Sequence, residues 1–248
     1  VNEGDMNLGD ATTSAFTLFD EMNIDVSYLG RDFLKCCGHD QKWQGLTEVF
    51  EKLKAYNQKK IKQSGIDTLV SSCAECFRTF ARDYELDDIK VMHTTEFIIE
   101  QGFDMDLKVE EATSVTYHDP CRLGRQMGIY DEPRELIESV EGVSLVEMEH
   151  SGEDAMCCGV SSMMSCNENA RSLRVARMEE IRDTGADMMI TSCPKCVSHF
   201  ECLKFEGDEK YDIEILDVVS FLAKQVEASK SKAKDAISPS IQSEEVSA

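Results

Sequence analysis

Apolar residues recur along this chain at helical spacing in some stretches and at strand spacing in others. Ala15, Phe16, Leu18 and Phe19 form a stripe that predicts a helix over residues 11–21. Residues 24–29 alternate apolar and polar positions as a strand does. Leu46, Val49, Phe50 and Leu53 predict a helix over 45–63, stopped at Gly65, because glycine tolerates the left-handed conformation of a helix end. Strands follow at 66–71 and 89–93, with a helix at 95–101. The order then starts again: strand 114–118, helix 132–140, strand 143–148, helix 169–183, strand 186–191, strand 213–216 and helix 218–224. After Val226 the pattern is lost to Ser, Lys, Ala and Glu, which predicts a flexible tail.

The second run of elements copies the first. Cys36-Cys37-Gly38 stands 121 residues before Cys157-Cys158-Gly159, and Cys73-Ala74-Glu75-Cys76 stands 120 before Cys193-Pro194-Lys195-Cys196. Ser64-Gly65-Ile66-Asp67 matches Thr184-Gly185-Ala186-Asp187. The expected fold is α/β: two tandem pseudo-symmetric repeats, each a small parallel sheet flanked by helices, with cysteine loops at the carboxyl ends of the strands. The divisions are residues 1–105, 106–225 and the tail 226–248. Cys121 has its counterpart at position 0, so a cysteine preceded by a strand is expected just upstream of Val1, and the first repeat is read as incomplete at its start.

Charge and cysteine content narrow the chemistry. A formal net charge of -22 over 248 residues makes nucleic acid and anionic membrane surfaces poor partners. No apolar run has the length needed to span a bilayer, and no charged-then-apolar signal segment opens the chain. Eleven cysteines are an odd number, and the clear helix and strand periodicity is unlike a small disulfide scaffold. Thiolate ligands in a reducing cytoplasm are the better reading.

Each cysteine group follows a predicted strand, so the loops converge on one edge of a parallel sheet. Helices begin there, and their amino ends favour negative charge. The second repeat offers Cys121, Cys157, Cys158, Cys193 and Cys196, one more than tetrahedral zinc or an ordinary cubane cluster takes. The surplus points to an expanded or distorted iron–sulfur cluster. Cys36, Cys37, Cys73 and Cys76 leave zinc open for the first repeat. A thioredoxin-type pair explains one C-x-x-C but not two, each with a paired cysteine at matched distance. His118 and His39 lie beside ligand cysteines, either as hydrogen-bonding groups of the loops or as proton donors to a nascent thiolate. Arg122, Arg125 and Lys195 are cations that can tune an anionic centre or hold an acidic substrate. Cys166 and Cys202 fall outside the repeat and read as small apolar residues. Met163, Met164, Met188 and Met189 read as core fillers, and Trp43 as packing beneath the first paired-cysteine loop.

His118-Asp119-Pro120-Cys121, Cys157-Cys158-Gly159 and Cys193-Pro194-Lys195-Cys196 together resemble the CCG cysteine-rich domain, found in B- and D-type subunits of heterodisulfide reductase and in related iron–sulfur oxidoreductase subunits. The resemblance covers residues 1–225. It implies a noncubane [4Fe-4S] cluster in each complete domain, two per full-length chain, held by the nine repeat cysteines named above. In heterodisulfide reductases proper it implies cleavage of a disulfide between the two clusters, with Cys157, Cys158, Cys193 and His118 nearest the chemistry. The chain departs from the family pattern in lacking the first domain's leading cysteine and in carrying Val160-Ser161-Ser162-Met163-Met164 after Gly159 in place of a glycine-rich run. The resulting expectation is a cytoplasmic iron–sulfur redox subunit of a heterodisulfide-reductase-like complex, with any membrane association made through its partners. The expected partners are a ferredoxin-type subunit, a flavoprotein or membrane cytochrome subunit, and a small thiol or disulfide substrate. The alternatives are a non-catalytic electron-transfer subunit of a flavin dehydrogenase or quinone-linked complex, and a zinc-stabilised scaffold.

Overall fold

The structure, a computed structural model, describes residues 10–30, 32–160, 167–205 and 211–241. The first repeat runs α1 (Asp10–Glu21), α2 (His39–Trp43), α3 (Thr47–Ser64), β1 (Thr68–Ser71), α4 (Ala74–Arg82), β2 (Lys90–His93) and α5 (Thr94–Glu100). The second runs β3 (Lys108–His118), α6 (Gly124–Met127), α7 (Asp131–Glu138), β4 (Glu141–Leu145), a short 3-10 turn (Gly152–Asp154), α8 (Glu168–Asp183), β5 (Met188–Thr191), α9 (Pro194–Phe205), β6 (Glu214–Asp217) and α10 (Val218–Ile241). All strand pairs are parallel. β1 pairs with β2, and the second sheet has the order β4-β3-β5-β6. The α/β reading of two parallel sheets flanked by helices therefore holds.

Two expectations need correcting. Residues 24–29 form no strand. In the second repeat the corresponding strand, β4, exists by pairing with β3, and among the described residues no strand lies beside 24–29. Alternation makes a segment suited to a sheet edge, but the ladder's hydrogen bonds make it a strand. The second correction concerns the tail. α10 does not end near Lys224 but continues to Ile241. Its first turns are nucleated by buried Val219, Phe221, Leu222 and Val226, and the Ala, Lys and Ser residues that follow propagate a helix at little cost. α10 lies along α1, and Lys230 and Lys232 pair with Glu21 and Glu110.

The repeats share their interior. One apolar cluster joins Leu18 and Phe19 of α1 and Ile98 of α5 to Val115 and Tyr117 of β3, Leu136 of α7 and Phe221 of α10. A second joins Ala74 and Phe77 of α4 to Met189 of β5 and Phe200 of α9. Met189 is fully buried and Met188 packs against the core, as core fillers do. This common packing brings the carboxyl ends of β1 and β5, and with them the two C-x-x-C segments, face to face.

Candidate metal centre

α4 starts at the residue after Cys73, and α9 at the residue after Cys193. Each C-x-x-C thus straddles a helix amino terminus, where free amides favour an anion. The paired cysteines sit in turns closed by Gly38 and Gly159, with φ of 80° and 85°, a left-handed backbone that suits glycine. Beyond Gly159, Asn167 caps α8 by accepting from Ala170 N at 2.9 Å.

The sequence predicts two groups of ligands; the structure strings all nine repeat cysteines into one run of sulfur contacts. Cys36 meets Cys37, Cys37 meets Cys76 at 3.2 Å, and Cys76 meets Cys73. Cys73 then neighbours Cys193 across the boundary between the repeats. Cys193 meets Cys196, Cys196 meets Cys158 at 3.4 Å, and Cys158 and Cys121 both meet Cys157. The contacts at 3.2 Å and 3.4 Å are much longer than a disulfide bond of about 2.05 Å, and all nine cysteines are free of disulfides. Cys202 is half-buried on α9 outside this run; Cys166, Met163 and Met164 lie outside the described residues.

The run cannot ionise everywhere at once. Hydrogen bonds from Cys121 and Cys158 pull Cys157 down to about 2, while the same contact and burial push Cys158 up to about 12 and Cys121 well above the usual thiol range. Cys37 and Cys73 are lowered by neighbouring thiols, whereas Cys36, Cys76, Cys193 and Cys196 are raised. Adjacent thiolates repel, so each thiolate sits between protonated neighbours. A polynuclear cation would remove that conflict by taking every sulfur as thiolate. A cavity of about 200 Å³ opens among Cys121, Cys157, Cys158, Cys193 and Cys196, with Glu75, Pro120, Arg122, Arg125, Gln126 and Val160 completing its wall. An all-sulfur donor set around such a space fits an iron–sulfur group.

The flanking polar residues take distinct parts. His118 is fully buried, and a ring nitrogen lies within 4.8 Å of the sulfurs of Cys158 and Cys196. Arg177 Nε donates to His118 Nδ1 at 3.1 Å. Since guanidinium only donates, Nδ1 holds the lone pair and the proton sits on Nε2. Burial and then Arg177 press His118 down to about 3, so it is neutral imidazole with one N–H to offer. His39, buried and lowered to about 3 by burial and by Arg122 and Lys195, contacts Thr79 Oγ1 at 3.1 Å.

Lys195 crosses to the other repeat, holding Asp40 at 2.5 Å and Glu75 at 2.7 Å. Arg125 donates to the Ala155 carbonyl at 2.5 Å. Arg122 stacks on the Trp43 ring at 3.9 Å. Trp43 is 45% exposed, with its ring centroid 5.9 Å from that of His39 beside the first paired-cysteine turn. Sequence reasoning missed buried Arg177 and His199, whose Nδ1 bonds the Cys158 carbonyl at 2.8 Å. Both lie on ordinary helical stretches of α8 and α9, where no local motif marks them. It also missed the clamp of Arg134 on Asp119, at 2.8 Å and 2.9 Å, which with Gly152 N fixes the loop before Cys121.

The chain matches the cysteine-rich domain family CCG over residues 6–81 and again over 115–201. It is 34% identical over 77% of its length to an uncharacterised iron-sulfur protein of Methanococcus maripaludis. It is 31% identical over 83% of its length to the D-type subunit of the dihydromethanophenazine:CoB--CoM heterodisulfide reductase of Methanosarcina acetivorans. It is 33% identical over 75% of its length to the B-type subunit of the fumarate reductase (CoM/CoB) of Methanothermobacter marburgensis. It spans 39%, 53% and 38% of those three proteins. The duplicated paired-cysteine turn, the C-x-x-C at each helix start and the two matched stretches place this chain in the CCG cysteine-rich domain family.

Proposed function

We propose that the chain is an iron–sulfur redox subunit of a heterodisulfide-reductase-like complex, in which a disulfide is reduced, or formed, beside noncubane [4Fe-4S] clusters. The observation that carries this reading is the unbroken run of nine thiols joined at Cys73 and Cys193. Cys121, Cys157, Cys158, Cys193 and Cys196 would hold the group of the second repeat; Cys36, Cys37, Cys73 and Cys76 would supply ligands in the first. Such a group supplies single electrons and a sulfur-binding iron. In the net reaction a disulfide takes up two electrons and two protons and leaves as two thiols, the electrons coming from a ferredoxin-type partner subunit.

The chain's own residues orient and shield. His118, with its tautomer set by Arg177, keeps a proton on a buried Nε2 that has no partner among the described residues, beside Cys158 and Cys196. Lys195 fixes the two repeats' sulfur loops relative to each other. No helix among the described residues is long and apolar enough to cross a membrane. Nine free thiols suit a reducing, cytoplasmic setting.

Anaerobic purification with iron and sulfide quantification, followed by EPR in the presence and absence of disulfides, tests the proposal. Iron and sulfide in the protein and a disulfide-dependent change in the EPR signal are expected. Zinc without iron or sulfide would overturn it. The electron-relay alternative draws on a relative named EtfAB:quinone oxidoreductase, of Syntrophomonas wolfei, 26% identical over 85% of this chain. An EPR signal indifferent to every disulfide would favour that relay.

A further inference from the structure

Of the three cations that the sequence places beside the cysteines, only one is left uncommitted by the fold. Lys195 is engaged by Asp40 and Glu75, and Arg125 donates to the Ala155 carbonyl. Arg122 has no carboxylate partner among the described residues. Its guanidinium lies on the face of Trp43, with Cζ 3.9 Å from the ring centroid. Stacking uses the flat face and leaves the edge, where all the N–H donors lie, free for a planar or tetrahedral oxyanion. The stack also fixes the side chain in advance, which lowers the entropy cost of binding.

An uncommitted guanidinium is unexpected in a chain of net charge -22. Arg122 lines the same cavity as the five cysteines of the second repeat. Gln126, one turn further along, lines it too and has a buried Oε1 with no partner. The single carboxylate of the wall, Glu75, is held by Lys195 rather than by Arg122.

We propose that Arg122, stacked on Trp43, is a binding point for a carboxylate or phosphate group of the substrate, so that the site selects anionic disulfides. This rests on the thiol–disulfide reading above. Gln126 Oε1 would accept from a donor elsewhere on the same molecule.

The test compares wild type, R122Q and R122K in the reconstituted full chain, with reduced viologen supplying two electrons per disulfide. Dithiodipropionate serves as the dianionic probe and hydroxyethyl disulfide as a neutral one. Suberate, a dicarboxylate of similar length with no S–S bond, is titrated by calorimetry and by the fluorescence of Trp43, the only tryptophan. R122Q is expected to raise KM for dithiodipropionate and weaken suberate binding by roughly tenfold to a hundredfold, the usual loss for a charge-assisted pair. The loss on dithiodipropionate should exceed any loss on hydroxyethyl disulfide by that factor, so the ratio of the two KM values is the readout. R122K should fall between, keeping charge without the flat stack, and it serves as the variant to rely on if R122Q loses iron. Equal loss on both disulfides, or suberate binding unaffected in both variants, would overturn the proposal. If wild type reduces neither disulfide yet binds suberate through Arg122, the anion site stands and the thiol–disulfide reading fails.

Discussion

Gly38 and Gly159 occupy matched turns after the paired cysteines, and alanine at each makes a controlled comparison. Both glycines have positive φ, 80° and 85°, so both substitutions incur the same left-handed penalty of about 1–2 kcal/mol. They differ in what the new Cβ meets. At position 38 it comes 2.8 Å from Phe50 Cδ2, a ring edge that can swing aside. At position 159 it comes 2.5 Å from the Ala170 carbonyl oxygen and 3.1 Å from Arg174 N, which belong to the backbone of α8. A helix cannot yield locally, so overpacking adds about 1–3 kcal/mol. The expected cost is thus about 1–2 kcal/mol for G38A and about 2–5 kcal/mol for G159A. At about 2–4 °C per kcal/mol for a chain of this size, the apparent midpoint of G159A should fall several degrees below that of G38A. Circular dichroism of reconstituted proteins at one scan rate reads this difference, and iron content should drop further in G159A because the new Cβ forces the Cys157–Cys158 turn and α8 apart. A G159A midpoint equal to or above that of G38A would refute the reasoning.

Three further outcomes follow from buried charge. Burial raises Asp217 from 3.8 to about 7. The folded state therefore binds a proton that the unfolded state has released between those values, and this part of the stability is lost as pH rises from about 4 to about 7. D217N keeps an acceptor for Val219 N, so its denaturation midpoint should vary less over that window, with the gain over wild type largest above pH ~7; an unchanged pH slope would count against it. R177M should cost more than R177M/E180Q relative to E180Q, with a coupling on the order of 1–3 kcal/mol in a double-mutant cycle, because Glu180 otherwise loses a buried guanidinium; additivity would contradict this. K195M releases Asp40 and Glu75 together, so hydrogen exchange should rise in α2 and α4 and stay constant in α10; uniform exchange would argue against a tether between the repeats.

The helices α1, α3 and α8 and the strands β1, β2 and β5 were legible in the sequence because each buries one face, and burial imposes its own period. The cysteine spacing was legible for a related reason: ligand loops recur at fixed distances after strands. Residues 24–29 were misread because their pattern is that of a strand, while a strand exists only where a neighbour takes its hydrogen bonds. The far part of α10 was misread because helix propagation and contact with α1 outweigh a polar composition.

By itself the sequence determined the duplication, the parallel α/β class and the nine cysteines, since local periodicity and covalent spacing encode all three. The tertiary structure decided that the two sulfur groups abut at Cys73 and Cys193, that Arg177 sets the His118 tautomer, and that Lys195 and Arg125 are committed while Arg122 is not. Those facts depend on which faces of separate elements meet when the repeats bury a common core, and contact between residues far apart in the chain leaves no period to read.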